Sequence, residues 1–181
     1  MPLPLLLRNV TKENIEETIQ SGRSENSESP ERSERSKPFS APVQYFKYFL
    51  VIDFEATCLK EEDIKPQEII EFPCLKIDAK TFEVENSFHY YVRPIHHPEL
   101  SEFCIEKTGI EQERINHAPE FTEVIKLFEL WMEQEGLMKS SFAFVTCGNW
   151  DFNVFLRNQA SSLVKFSDFK KVNTIRTEHY F

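Results

Sequence analysis

No stretch of this 181-residue chain is long and apolar enough to cross a bilayer. The opening Met1–Arg8 is apolar, but it is far too short for a signal peptide, and its basic residue follows the apolar run instead of preceding it. The four cysteines, Cys58, Cys74, Cys104 and Cys147, form no CxxC pair suited to zinc or redox work. Reduced interior thiols are therefore expected, which points to the cytoplasm or nucleus and to no membrane partner. Broad basic charge is missing too. The net charge is −9, almost all of it carried after residue 42, so general electrostatic attraction to a duplex is not expected. An enzyme that grips one strand end through divalent cations escapes this objection, because the metal supplies positive charge where the phosphate sits.

Apolar residues are scarce in one long segment. Residues 21–42, SGRSENSESPERSERSKPFSAP, hold a single aromatic and cannot bury enough surface to offset their ordering entropy. Before them, Thr11 could cap a short helix with Ile15 and Ile19 one turn apart, marginal on its own. Residues 1–42 are thus read as a disordered N-terminal segment and linker, and residues 43–181 as the folded domain. With 40% hydrophobic and 13% aromatic residues, the chain can build a real core there.

From Tyr45 the run Tyr-Phe-Lys-Tyr-Phe-Leu-Val-Ile has the composition of a central strand covered on both faces, ending at Asp53. Residues 69–77 read as a second strand, with Pro73 implying a bulge or an edge position. A turn at 78–81 leads into a third strand over 82–92, antiparallel to the second, with Val84, Phe88, Tyr90 and Val92 in period two. Glu99–Lys107 is a short helical pattern with Leu100, Phe103 and Cys104 on one side and Gly109 as its stop. A clearer helix follows, with Pro119 in its first turn, Phe121, Val124, Ile125, Phe128, Trp131 and Met132 in helical spacing, and Gly136 at its end. Residues 142–147 are a fourth buried strand, and Trp150 opens another helix with Phe152, Phe155 and Leu156 inward. This order predicts an α/β domain with the first strand central and the fourth beside it, a ribonuclease-H-like mixed sheet flanked by helices.

Asp53 and Glu55 flank Phe54 at the end of a buried strand, and a two-residue period puts both carboxylates on one face. Two adjacent acids repel, and divalent cations between them would relieve the repulsion, since hard Mg²⁺ or Mn²⁺ takes oxygen ligands. Taken alone, such a pair reads more readily as ordinary turn acids. Asp151 follows the fourth strand just as Asp53 follows the first, so neighbouring strands would bring all three acids to one sheet edge, where open α/β sheets place their ligands. A helix-capping role for Asp151 is compatible with this. Three acids there could hold two ions about 4 Å apart, the arrangement that supports in-line hydrolysis of a phosphodiester.

The words DFEATC at 53–58, QEIIEFP at 67–73, YVRP at 91–94, LSEFCIEKTGI at 100–110 and VTCGNWD at 145–151 together resemble the DEDD exonucleases. More narrowly they resemble the DEDDh-type histone-mRNA 3′-exonuclease and enhancer-of-RNAi family, toward its prion-protein-interacting branch. The resemblance runs from about residue 45 onward and implies a metal-dependent 3′-to-5′ exoribonuclease acting on single-stranded RNA ends and releasing nucleoside 5′-monophosphates. It makes Asp53, Glu55 and Asp151 the first three family acids, with Glu55 also at the 3′-terminal sugar. It places Glu55, Ala56, Phe103, Thr108 and Trp150 at the terminal nucleotides. Simple core packing is the alternative for Phe103, Ile110 and Trp150.

Lys107 departs from the apolar residue usual in the family. A DEDDh enzyme also needs a later histidine five residues before a fourth aspartate, as general base. His179 comes too early for that and no such aspartate follows it. His96-His97 between two prolines reads as a solvated turn, and His89 and His117 carry no partner pattern. The expectation is a partial exonuclease domain over 43–181, missing its C-terminal elements. An inactive short form that binds RNA or protein, and a DNA exonuclease on the same fold, remain alternatives.

Overall fold

The computed structural model of the chain describes residues 45–147 and 174–177. The expected N-terminal segment, Trp150, Asp151 and the helix they open lie outside these residues, as does His179. Tyr48–Ile52 (β1) is buried along its whole length, as an apolar strand with both faces covered must be. Its side chains alternate. Tyr48, Leu50 and Ile52 join Phe72, Phe128 and Met132, whereas Phe49 and Val51 join Leu75, Ile77, Ala143 and Val145. The chain leaves the ladder at Asp53 and Phe54 and rejoins it as Glu55–Ala56 (β2).

Ile69–Asp78 (β3) pairs antiparallel with β1 and β2 along one side and with Val84–Tyr91 (β4) along the other. Between β3 and β4, Asp78 Oδ1 accepts from the backbone N–H groups of Lys80 at 2.9 Å and Thr81 at 2.8 Å, the side-chain closure that makes aspartate a turn residue. Phe142–Cys147 (β5) runs parallel to β1, and Thr174–Thr177 (β6) runs parallel to β5. The sheet order is therefore β4, β3, β1 with β2, β5, β6. First strand central and fourth beside it is the arrangement the element order predicts.

The α-helices among the described residues are Glu102–Thr108 (α1), Gln112–Asn116 (α2) and Phe121–Gln134 (α3). The apolar stripe of α3 lays Val124, Ile125, Phe128 and Met132 on the sheet, where the rings of Phe72, Phe88 and Phe128 lie 4.8, 5.1 and 5.4 Å apart by centroid. Burying each such ring contributes roughly 2–3 kcal/mol. Gly136, with φ 67°, adopts the left-handed conformation just past the end of α3, as its position predicts.

Several local expectations change. Pro73 marks neither an edge nor a bulge of its own, because β3 is buried and paired on both sides, with its register shift on the β4 side at Lys76/Ile77. The disturbance falls on the partner instead. Ile52 pairs with Cys74 and Glu55 with Glu71, so the gap at Asp53 and Phe54 lies opposite Pro73 and Phe72, and proline has no N–H to give a ladder. Pro119 lies before the cap, Glu120, and its carbonyl accepts from Arg93 N at 2.9 Å. The earlier helix begins at Glu102, because Ser101 caps it through an acceptor bond from Cys104 N. Val84 and Tyr90 are exposed at 51% and 38%, so the inward period of the third strand holds only at Phe88 and Val92.

Candidate active site

Asp53 and Glu55 lie where β1 gives way to β2, both half-buried. Phe54 between them points into the α3-side core, its ring edge-on to Phe72 at 4.6 Å. Strand alternation continued through this point would turn both carboxylates to the opposite side. Carrying the β1–β5 register on from the Val51–Val145 pair brings Asp53 level with Cys147, the last residue of β5. The carboxyl ends of the two parallel strands thus share one edge of the sheet. Asp151, four residues further on, is outside the described residues.

Below this edge a cleft of about 280 Å³ opens between β2 and α1, lined by Phe54, Glu55, Ala56, Cys58, Gln67, Phe103, Lys107 and Thr108. Four residues singled out for substrate contact, Glu55, Ala56, Phe103 and Thr108, are thereby brought together. Ile110 is 2% exposed in a separate cluster with Ile70, Cys104 and Ile115, so it is core. The Thr108 hydroxyl donates to Cys104 O at 2.8 Å and accepts from Ile110 N at 3.2 Å. Its proton is committed to the helix end.

The backbone after Glu55 is clamped from two directions. Thr57 N donates to Glu68 O at 2.8 Å, Glu68 N donates to Thr57 Oγ1 at 3.0 Å, and Gln67 Nε2 donates to Thr57 O at 3.0 Å. From α1, Ser101 Oγ donates to Cys58 O at 2.8 Å and Cys104 Sγ approaches Ala56 O at 3.7 Å. These bonds fix the floor of the cleft. Burial pushes the Cys58 thiol up to about 12, helped by the thiol of Cys104 and the charge of Glu55. Cys58 is therefore a neutral wall of the cleft and not a nucleophile.

Two acids in the 67–73 motif take structural roles that local reading does not reveal. The Glu68 carboxylate, 3% exposed, accepts from the backbone N–H groups of Ile95, His96 and His97 at 2.7, 3.0 and 2.9 Å. The paired histidines are thus held through their backbone. Glu71, 4% exposed, lies 2.7 Å from His89 Nε2. His89 thus has a partner that no sequence pattern announces. That partner comes from the neighbouring strand, where sequence spacing cannot display it. Tyr91 stands across from Glu71, and burial, then the Glu71 charge, raises its phenol above the usual value.

The donor set suits a hard metal ion. Asp53 and Glu55 offer carboxylate oxygens on one face, and ions such as Mg²⁺ are ordinarily held by one or two carboxylates together with substrate phosphates. Among the described residues no group of three or more His, Cys, Asp or Glu encloses an ion site, so the two acids would need Asp151 or the substrate to complete one. No helix among the described residues is long and apolar enough to cross a membrane.

Comparison with known proteins shows the family. The exonuclease family model RNase_T matches residues 50–179. Human ERI1 exoribonuclease 3 is 48% identical over 126 residues, covering 68% of this chain and 37% of that protein. Human 3′-5′ exoribonuclease 1 is 41% identical over 132 residues, covering 70% of this chain and 37% of that protein. The chain thus spans little more than a third of the length of these relatives. Among solved structures, the nuclease domain of 3′hExo, a DEDDh family member bound to rAMP, superposes with a TM-score of 0.62 at 39% identity, covering 65% of this chain and 60% of that one. A 3′-exonuclease solved for its 3′-end-specific recognition of the histone mRNA stem-loop gives a TM-score of 0.63 at 34% identity, covering 71% and 50%.

Proposed function

Because the chain belongs to the exonuclease family, whose DEDDh members depend on metal, we propose that it is by family a 3′-to-5′ exoribonuclease, one that lacks the family's later histidine and fourth aspartate within these 181 residues. It would hydrolyse single-stranded RNA from the 3′ end and release nucleoside 5′-monophosphates. One observation carries this reading: Glu55, Ala56, Phe103 and Thr108 line a single cleft at the carboxyl end of the central strand. Its volume, about 280 Å³, is near the lower end of ordinary small-ligand sites, which suits one terminal nucleotide.

In this reading Asp53, Glu55 and Asp151 hold two Mg²⁺ or Mn²⁺ ions. Bound there, the ions supply an activated water and positive charge at the leaving oxygen. The rest falls to the protein. Phe103 offers a ring face to the terminal base, Phe54 anchors the two acids from the core side, and the clamp on Thr57 and Cys58 keeps the floor rigid. Residues 1–42 stand outside this domain. The free Cys58, Cys74 and Cys104 favour a reducing compartment, cytoplasm or nucleus.

The test is incubation of the full chain with 5′-labelled single-stranded RNA and Mg²⁺, with an EDTA control and a DNA strand of equal sequence. Stepwise, metal-dependent shortening from the 3′ end with preference for RNA is expected. Intact RNA in Mg²⁺ would overturn the reading, and faster loss of the DNA would reassign the substrate.

A further inference from the structure

We infer that Lys107 grips a backbone phosphate of the strand held in the cleft and so sets how tightly the 3′ end is bound. The identity of that strand rests on the exoribonuclease reading above. Lys107 is exposed in the last turn of α1, and it lines the cleft together with Glu55, Phe103 and Thr108. Phe103 and Lys107 are four residues apart on one helix, so they share a face, and the Lys107 ammonium lies 5.9 Å from the Phe103 ring centroid. A ring face beside a cation is how proteins hold single strands, the base stacking on the ring and the phosphate meeting the charge.

The charge of Lys107 is available for this purpose. Among the described residues no ion pair engages it, whereas Lys76 is taken up by Glu85 and Glu135, and Arg93 by Glu120. The ring contact leaves the ammonium's net charge in place. The chain as a whole carries −9, so its surface at large repels a polyanion and any attraction to phosphate must be local. Among the described residues lining the cleft, Lys107 is the one that is basic. A purely structural role, a cation at the end of a helix, makes a different prediction about ligand binding.

The unaltered chain, Lys107→Met and Lys107→Arg are compared for binding to a 5′-fluorescein single-stranded RNA in EDTA by anisotropy over a series of salt concentrations. The same RNA is then used for Mg²⁺-dependent trimming. The Met variant should bind about fivefold more weakly near 0.1 M salt, with a log–log salt slope shallower by about 0.7. Its KM should rise with kcat little changed, and Arg should restore most of the binding. An RNA series carrying one neutral methylphosphonate at a time near the 3′ end, bound to the unaltered chain, should show a single linkage whose neutralisation reproduces the loss. That arm does not depend on how a variant folds.

Equal affinity and slope for the Met variant, or equal binding at every linkage, would overturn the inference. Trimming without any dependence on Lys107 overturns this inference alone. Binding that depends on Lys107 without trimming upholds it and overturns the exoribonuclease reading.

Discussion

Glu55 on β2 stands directly across from Glu71 on β3, so two carboxylates share a sheet face at neighbouring positions with different surroundings. Glu71 is buried against His89 at 2.7 Å, whereas Glu55 is half-buried at the cleft. The pair should separate by mutation. Glu55→Gln or Asp53→Asn should lower RNA trimming by at least about a hundredfold while leaving the unfolding midpoint within a few degrees. Glu71→Leu should cost about 1–3 kcal/mol in urea unfolding, because His89 loses its buried partner. If Glu71→Leu were neutral for stability, the structural role assigned to that pair would be wrong.

The Glu68 carboxylate closes the loop at 95–97 through three backbone hydrogen bonds. Charge-assisted bonds of this kind are among the stronger ones, and their loss orphans several N–H groups. Glu68→Ala should destabilise the domain by about 3 kcal/mol and speed amide hydrogen exchange at Ile95, His96 and His97 specifically. Exchange that rises evenly over the whole sheet, or not at all, would contradict the loop-anchor role.

Lys76 provides a pH dependence with a definite sign. Burial is the largest single influence on its ammonium and pulls it down, but hydrogen bonds to Glu85 and Glu135 together carry it above its ordinary value of 10.5. A group raised on folding contributes stability that is complete below the unfolded value and disappears as pH rises through the folded one. The stability difference between the unaltered chain and Lys76→Met should therefore stay constant up to about pH 10 and shrink above it. Urea midpoints across that range measure it. A difference that grew with alkalinity would reverse the assignment.

Cys58 lines the cleft, yet its thiol is raised to about 12 by burial and by its neighbours Cys104 and Glu55. Since only the thiolate reacts, iodoacetamide at pH 8 should label Cys58 far more slowly than an unfolded cysteine, as mapped by peptide mass spectrometry. Cys58→Ser should keep most trimming activity. Rapid labelling would show a thiolate in the cleft and change its chemistry.

Much of this protein is written in short-range pattern. The alternation of β1, the apolar run of β5 over Phe142–Cys147, the stripe of α3 and the stops at Gly109 and Gly136 each depend on residues within about one turn or one pleat of one another. The same alternation turned Asp53 and Glu55 to one side before any contact was known. Local pattern could not supply what meets that side. Cys104 reaches Ala56 across 48 positions of sequence, and with that closure α1 brings Phe103, Lys107 and Thr108 to Glu55. His89 finds Glu71 only because β4 pairs with β3 in one register, and the interruption caused by Pro73 appears on β1, its partner strand. Periodicity and caps are decided by neighbours along the chain, so the sequence by itself determined the elements and put two acids at the end of the central strand. The cleft, the lysine on its wall and its anchored loop depend on which elements pack together, and only the tertiary structure decided that, because burial and strand register are properties of the whole folded chain.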